Sequence, residues 1–320
     1  MTRVLVTGAG GFVGNTLCPM LAQAGYLIRA AVRTDRPGSA GVTERVVVGD
    51  IGGHTDWTQA LHDVEMVVHL AARVHVMHDA ADAVGIYRET NARGTQRLAA
   101  EAARHGVRRL VYLSSVKVNG EETEGHAYCA ADVPHPLDAY GRSKWQAEQL
   151  LAETAASTGM QAVVVRSPLV YGPGVRANFL RLLRWVDRER WLPFAAIRNR
   201  RSLVSVWNLC DLLAQVLDRP TSAGHTWMVS DGQDISTPDL VRRIARAMGR
   251  RARLLPVPVP LLRLAGGLLG QKAEMRRLCG SLTVDIAQTR ERLGWSPPLS
   301  MDEALSRTVS WYQSHEQLPP

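Results

Sequence analysis

Val4-Leu5-Val6-Thr7-Gly8-Ala9-Gly10-Gly11-Phe12-Val13-Gly14 stands at the start of the chain and decides its fold. Val4 to Val6 reads as a short buried strand, and a glycine-rich turn follows with no spacer. Gly8, Gly11 and Gly14 meet three separate demands there: a tight turn, close approach of backbone to a pyrophosphate, and close packing of the next helix on the sheet. Asn15 to Ala24 is helix-like, so its N-terminus faces the phosphates, where unpaired N–H groups and the helix dipole favour an anion. A glycine pattern alone is weak evidence. Set between a strand and a helix, it reads as a dinucleotide site.

Outward from that turn, apolar strands and helical runs alternate as far as about Ser167. Strands are expected at 3–7, 27–33, 45–48, 66–70, 109–113 and 161–166, with helices at 14–24, 56–62, 88–105 and 140–157. Repeated alternation predicts an α/β fold with a Rossmann-type, doubly wound parallel sheet. After Pro168 the pattern breaks into loops, prolines and helical pieces, apart from a helix at Asn208–Leu217 and a strand at Thr226–Ser230. The expected organisation is a dinucleotide-binding domain over 1–167 with 204–230, and a smaller α/β substrate-binding domain over 168–203 with 231–320. A chain of 320 residues with 46% hydrophobic content can bury cores for both.

The chemistry lies in Tyr140-Gly141-Arg142-Ser143-Lys144, 25 positions after Ser115. A tyrosine hydroxyl, with an ordinary pKa of about 10, is a poor acid–base catalyst at neutral pH, and a nearby ammonium favours its phenolate. Four residues apart on a helix, Tyr140 and Lys144 share a face, and the run after them is strongly helix-forming. Ser115 can hydrogen-bond the same substrate oxygen. The candidate catalytic set is Ser115, Tyr140 and Lys144.

These pieces, taken in order with Asp50-Ile51, His69-Leu70-Ala71-Ala72, Asn91 with Gly94-Thr95, and Arg166-Ser167-Pro168-Leu169-Val170-Tyr171-Gly172-Pro173-Gly174, resemble the extended short-chain dehydrogenase/reductases of the nucleotide-sugar epimerase/dehydratase type. The resemblance covers nearly the whole chain. It implies a homodimer and a cofactor site made by Gly8, Gly10, Gly11, Phe12, Val13, Gly14, Arg33, Asp50, Ile51, Leu70, Ala71, Ala72, Asn91, Tyr140, Lys144 and Pro168. Asp50 and Ile51 would hold the adenine, and Asn91 would stabilise the active-site backbone. It also implies a UDP-sugar substrate, contacted by Arg73, His75, Lys117, Asn119, Asn178, Arg201 and Arg277. Arg201 begins a segment similar to the family's Arg-Asp-x-x-x-Val-x-Asp-Leu, with Ser202 and Asn208 in place of both aspartates.

A formal charge of +8 raises the question of nucleic acid, and nearly all of it is arginine, lysine occurring only at 117, 144 and 272. The densest cluster, Arg181 to Arg201, is interleaved with Leu180, Leu182, Leu183 and Trp185 at helical spacing, so it reads as a solvated helix face with one or two guanidinium groups for a diphosphate. No nucleic-acid partner is expected. The four cysteines have no metal-type spacing, and no metal site is expected. No uncharged apolar run is long enough to span a membrane, and the chain enters a strand at once with no signal peptide, so a cytoplasmic location is expected. Leu254–Leu269, rich in leucine, reads as a buried helix, with interfacial attachment as the alternative.

Arg33 ends the second strand 19 residues past Gly14. An arginine there suits the 2′-phosphate of NADP, whereas a carboxylate would suit NAD, so NADP(H) is favoured over NAD(H). The loop Val116-Lys117-Val118-Asn119-Gly120 lacks the acid pair of dehydratases. Together with His69–Met77 and Arg198–Val204 it is similar to enzymes of bacterial surface-polysaccharide clusters. The expected reaction is hydride transfer at C4 of a UDP-linked hexose, first as reduction of a UDP-2-acetamido-2,6-dideoxy-4-hexulose, alternatively as UDP-hexose 4-epimerisation. A catalytically silent dinucleotide sensor is the third reading.

Overall fold

The computed structural model describes residues 1–35, 40–74, 83–268, 270 and 272–316. Strands β1 (Arg3–Thr7), β2 (Leu27–Val32), β3 (Glu44–Val47), β4 (Met66–His69), β5 (Arg109–Ser115), β6 (Gln161–Ser167), β7 (Leu169–Tyr171), β8 (Arg201–Ser205), β9 (Thr226–Met228) and β10 (Asp234–Ile235) form two sheets. Seven of them make one sheet in the order β3-β2-β1-β4-β5-β6-β9. All its pairings are parallel.

The continuous apolar runs of β1, β4 and β5 follow from burial on both faces. Val4, Val6, Ile28, Met66 and Val68 point into one core, with Leu17, Leu21 and the helix Val206–Asp218. Leu5, Val67, Leu110 and Tyr112 point into the opposite core, with Leu98, Ala147 and Leu151 of the helices Gly94–Arg104 and Ala139–Thr158. The order reverses between β1 and β4, and at such a switch point the helices leave a crevice at the carboxyl edge of the strands. Thr7, Val32, His69 and Ser115 all end on that edge.

β7, β8 and β10 form the second sheet, in the order β10-β8-β7. It belongs to a separate core of Phe179, Leu183, Leu203, Ile244 and Leu305, and Phe12 and Trp207 pack against both this core and the first. The sequence reading assigned no strand between 169 and 205. It also expected a buried helix at 254–269, and here the structure differs. The helix Val259–Leu268 buries Leu262 and Gly266 but leaves Leu261, Leu264 and Leu268 exposed.

Candidate active site

The glycine turn is shaped for a ligand that must touch backbone. Gly8 has φ +71°, and a Cβ there would lie 2.9 Å from the Ala71 nitrogen; one on Gly14 would lie 2.4 Å from the carbonyl oxygens of Gly8 and Ala9. Neither position accepts a side chain, so the turn closes on itself and the helix Gly14–Gln23 starts against the sheet. A cavity of about 1320 Å³ opens over the turn, lined by Gly10, Gly11, Arg33, Asp50, Ala71 and Arg73 among others. Backbone at the turn, a helix N-terminus and a long trough beside Asp50 and Ile51 fit a dinucleotide. Phe12 and Val13 are partly buried behind the turn, and Pro168 is buried between β6 and β7.

Arg33 lines the trough, and it is paired. Its Nε lies 2.7 Å from Asp50 Oδ1, and Arg73 reaches the same carboxylate at 3.9 Å. A guanidinium paired with Asp50 at this exposed edge is a less available receptor for a 2′-phosphate, and the preference for NADP(H) finds no support.

Asp138 caps the helix Ala139–Thr158, its Oδ1 accepting from the Gly141 N–H at 2.6 Å. The cap starts the helix so that Tyr140 and Lys144 face the end of β5, with the Ser115 hydroxyl near the Tyr140 phenol. Burial raises Tyr140 above the ordinary tyrosine value, Asp138 and Tyr87 raise it further, and the nearby Ser115 hydroxyl pulls it down. Lys144 is 2% exposed, donates to the Leu113 carbonyl at 2.8 Å and lies 4.4 Å from the centroid of the Tyr112 ring. Burial draws it from 10.5 down to about 7, with Glu148 acting the other way. Burial thus weakens the hold of Lys144 on its proton, and its contact in this arrangement is a carbonyl and not the phenol.

A buried polar chain that the sequence reading missed links the glycine turn to this helix. Thr7 Oγ1 accepts from the Ala71 N–H at 3.1 Å and meets His69 Nδ1 at 2.6 Å. His69 Nε2 meets Thr95 Oγ1 at 3.0 Å, and Thr95 donates to the Asn91 carbonyl at 2.6 Å. Asn91 Nδ2 donates to Ser143 Oγ at 3.0 Å, and Ser143 donates to the Tyr140 carbonyl at 2.8 Å. Burial, with the Lys144 charge, lowers His69 to about 3, so it is a neutral spacer here. Asn91, on the π-helical turn Arg88–Arg93, also bonds the Arg73 backbone at both its N–H and its carbonyl. Behind Lys144, Arg166 and Glu148 form an ion pair at 2.6 Å with side chains 3% and 4% exposed, and Ser114 donates to Glu148 as well. Polar residues at the carboxyl ends of apolar strands were the available signal for Thr7, His69, Ser114 and Arg166.

The expected substrate residues divide. Lys117 lies beside the site, 5.8 Å from the Tyr140 ring centroid, held by Asp138 and Glu121. Asn119 is buried with its carboxamide engaged: it is 3% exposed, accepts from Arg166 at 3.1 Å and donates to the Cys129 carbonyl at 3.0 Å. That engagement follows from Arg166, whose buried guanidinium needs a second acceptor. Arg201 donates to the Arg277 and Gly280 carbonyls, bringing 201 and 277 together through backbone, while the Arg277 side chain is exposed. Asn178 is exposed and bonds Arg181 on its own helix. His75 lies outside the described residues.

Residues 4–230 match the NAD dependent epimerase/dehydratase family. The chain belongs to that family. It is 42% identical over 310 residues to a UDP-glucose 4-epimerase of Vibrio cholerae, covering 96% of this chain and 94% of the relative. It is 26% identical over 332 residues to an N-acetyl-alpha-D-glucosaminyl-diphospho-ditrans,octacis-undecaprenol 4-epimerase of Escherichia coli O157:H7, covering 98% and 96%. The fold also matches the solved structure of MoeE5 in complex with UDP-glucose and NAD, with a TM-score of 0.79 and 26% identity over 98% and 99% of the two chains. The protein is an enzyme of this family, built on a Rossmann-type sheet. Among the described residues no helix is long and apolar enough to cross a membrane.

Proposed function

We propose that the enzyme is a UDP-hexose 4-epimerase that uses NAD. One observation carries the reading: Ser115, Tyr140 and buried Lys144 converge at the end of β5, beside a backbone cradle that only glycine can form. The likeness to the Vibrio cholerae relative supports it, as does the ion pair that engages Arg33. NAD, when bound, supplies the hydride acceptor and donor. As the phenolate, Tyr140 takes the proton from the C4 hydroxyl and, as the phenol so formed, returns it; Ser115 hydrogen-bonds the same oxygen, and Lys144 holds the ribose and favours the phenolate by its charge. Asn91 and Ser143 fix the helix that carries the phenol. In this reading residues 1–167 with 204–230 bind the dinucleotide, and 168–203 with 231–320 bind the UDP-sugar, Arg201 and Arg277 lying toward its diphosphate.

A second reading, reduction of a UDP-2-acetamido-2,6-dideoxy-4-hexulose, draws on Lys117, a hydrogen-bond donor held beside Tyr140 by Asp138 and Glu121. The test is incubation of the enzyme with UDP-glucose and catalytic NAD, followed by chromatography of the UDP-sugars. Formation of UDP-galactose with no net change in nicotinamide absorbance is expected. Stoichiometric consumption of reduced nicotinamide with a 4-keto sugar, and no epimer from UDP-glucose, would replace this reading with the second.

A further inference from the structure

The helix Val259–Leu268 has two apolar faces where one suffices. Leu262 and Gly266 face inward, and Gly266 lies so close to Met275 of the helix Lys272–Cys279 that a Cβ would meet its Cγ at 2.0 Å. About 150° around the helix, at the spacing of one stripe, Leu261, Leu264 and Leu268 are 56%, 61% and 81% exposed. Three leucines on one exposed face of a ten-residue helix are a concentrated apolar surface, unlike single hydrophobic residues scattered over a protein.

The charge of this stretch of chain selects its partner. No Asp or Glu occurs from Leu240 to Ala273, while eight Arg or Lys do. Some are neutralised from elsewhere, Arg250 by Asp187 and Arg253 by Glu189. The exposed side chains of Arg246, Arg251 and Arg263 form no ion pair among the described residues, although the Arg251 N–H donates to Glu189 Oε1 at 3.1 Å, and Arg263 lies on the helix itself. The preceding segment is joined to another exposed aromatic. Leu192 and Leu254 form a β-bridge, and the neighbouring Trp191 is 61% exposed with the Arg253 guanidinium 5.7 Å from its ring centroid. Exposed leucines, a tryptophan and uncompensated arginines are the composition of a surface that sits in a lipid headgroup region, where apolar groups enter the acyl boundary and guanidinium groups meet phosphates.

We propose that the leucine face of Val259–Leu268 docks on an anionic lipid bilayer. A second protein copy would suit the leucines, but two identical faces would bring two sets of unpaired arginine side chains together, and an anionic bilayer complements that charge. Docking would also orient the active site. The neighbouring helix carries Arg276, which pairs with Glu121 and Glu122, and Glu121 in turn holds Lys117 beside Tyr140. The bilayer would thus lie one helix away from the loop that follows Ser115.

The test is flotation of the full chain with vesicles of phosphatidylcholine, alone or with phosphatidylglycerol, and the same assay on Leu264→Glu/Leu268→Glu. Both positions are exposed, so the double variant should fold and retain its turnover of soluble UDP-sugar, measured on the same sample. Binding to the anionic vesicles is expected, weaker as salt rises, and weaker by on the order of tenfold or more in the variant. Absence of binding to anionic vesicles, or equal binding by the variant, would overturn the proposal. So would a concentration-dependent dimer, seen by sedimentation without lipid and lost in the variant, because the face would then belong to a second copy. Flotation does not depend on turnover, so failure of the epimerase assay leaves this result readable.

Discussion

Replacing Lys144 by Met should stabilise the ligand-free protein while disabling it. The ammonium is 2% exposed and burial has drawn it from 10.5 to about 7. Each tenfold in proton affinity is about 1.4 kcal/mol, so keeping this group charged below pH 7 costs the fold on the order of 5 kcal/mol. Because the folded value lies below the unfolded one, the unfolded chain binds more protons between pH 7 and 10.5, and stability rises with pH across that window. At pH 6 the cost is present in full, and at pH 9 roughly 2 kcal/mol of it remains. Methionine removes the charge at similar length but leaves the Leu113 carbonyl without its donor, a loss of about 1–3 kcal/mol. The net expectation is a gain of roughly 2–4 kcal/mol at pH 6 and little change at pH 9. Urea unfolding of the ligand-free protein and the variant at both pH values, with equal m-values, measures it. A variant less stable than the parent at pH 6, or a difference that ignores pH, would refute the claim that Lys144 is held against its charge. Turnover in the same preparation should fall by about 100-fold or more.

Tyr140→Phe should lower turnover by about 100-fold or more and leave dinucleotide affinity nearly intact, as for loss of a general acid–base; near-normal turnover would remove the phenol from the mechanism. Arg166→Met should destabilise the fold by roughly 3–5 kcal/mol in urea unfolding, because it strands the buried Glu148 carboxylate. A loss under about 1 kcal/mol would mean that the pair is not buried in solution. Calorimetry should find NAD(H) bound more tightly than NADP(H), with Asp50→Asn narrowing the difference by releasing Arg33; tighter NADP(H) in the parent enzyme would restore Arg33 to the 2′-phosphate.

Local patterns carried the dinucleotide half of this protein. Val4-Leu5-Val6 followed by Gly8 to Gly14 specified strand, turn and helix because the requirement at each position is local: positive φ at Gly8, and no room for a Cβ at Gly14. Tyr140 and Lys144 were legible for the same reason, since helical spacing alone puts them on one face. What the sequence did not determine were contacts between residues far apart in the chain. Asn119 looked like a pocket residue until Arg166, 47 positions away, claimed its carboxamide. Arg33 looked free until Asp50 from the next strand's end met it at 2.7 Å. β7 and β8 were too short for periodicity to mark, and they exist because each supplies the other's hydrogen bonds. The leucines of Val259–Leu268 read as core because hydrophobicity says that a side chain should be covered. Only the tertiary structure shows which face its own chain covers.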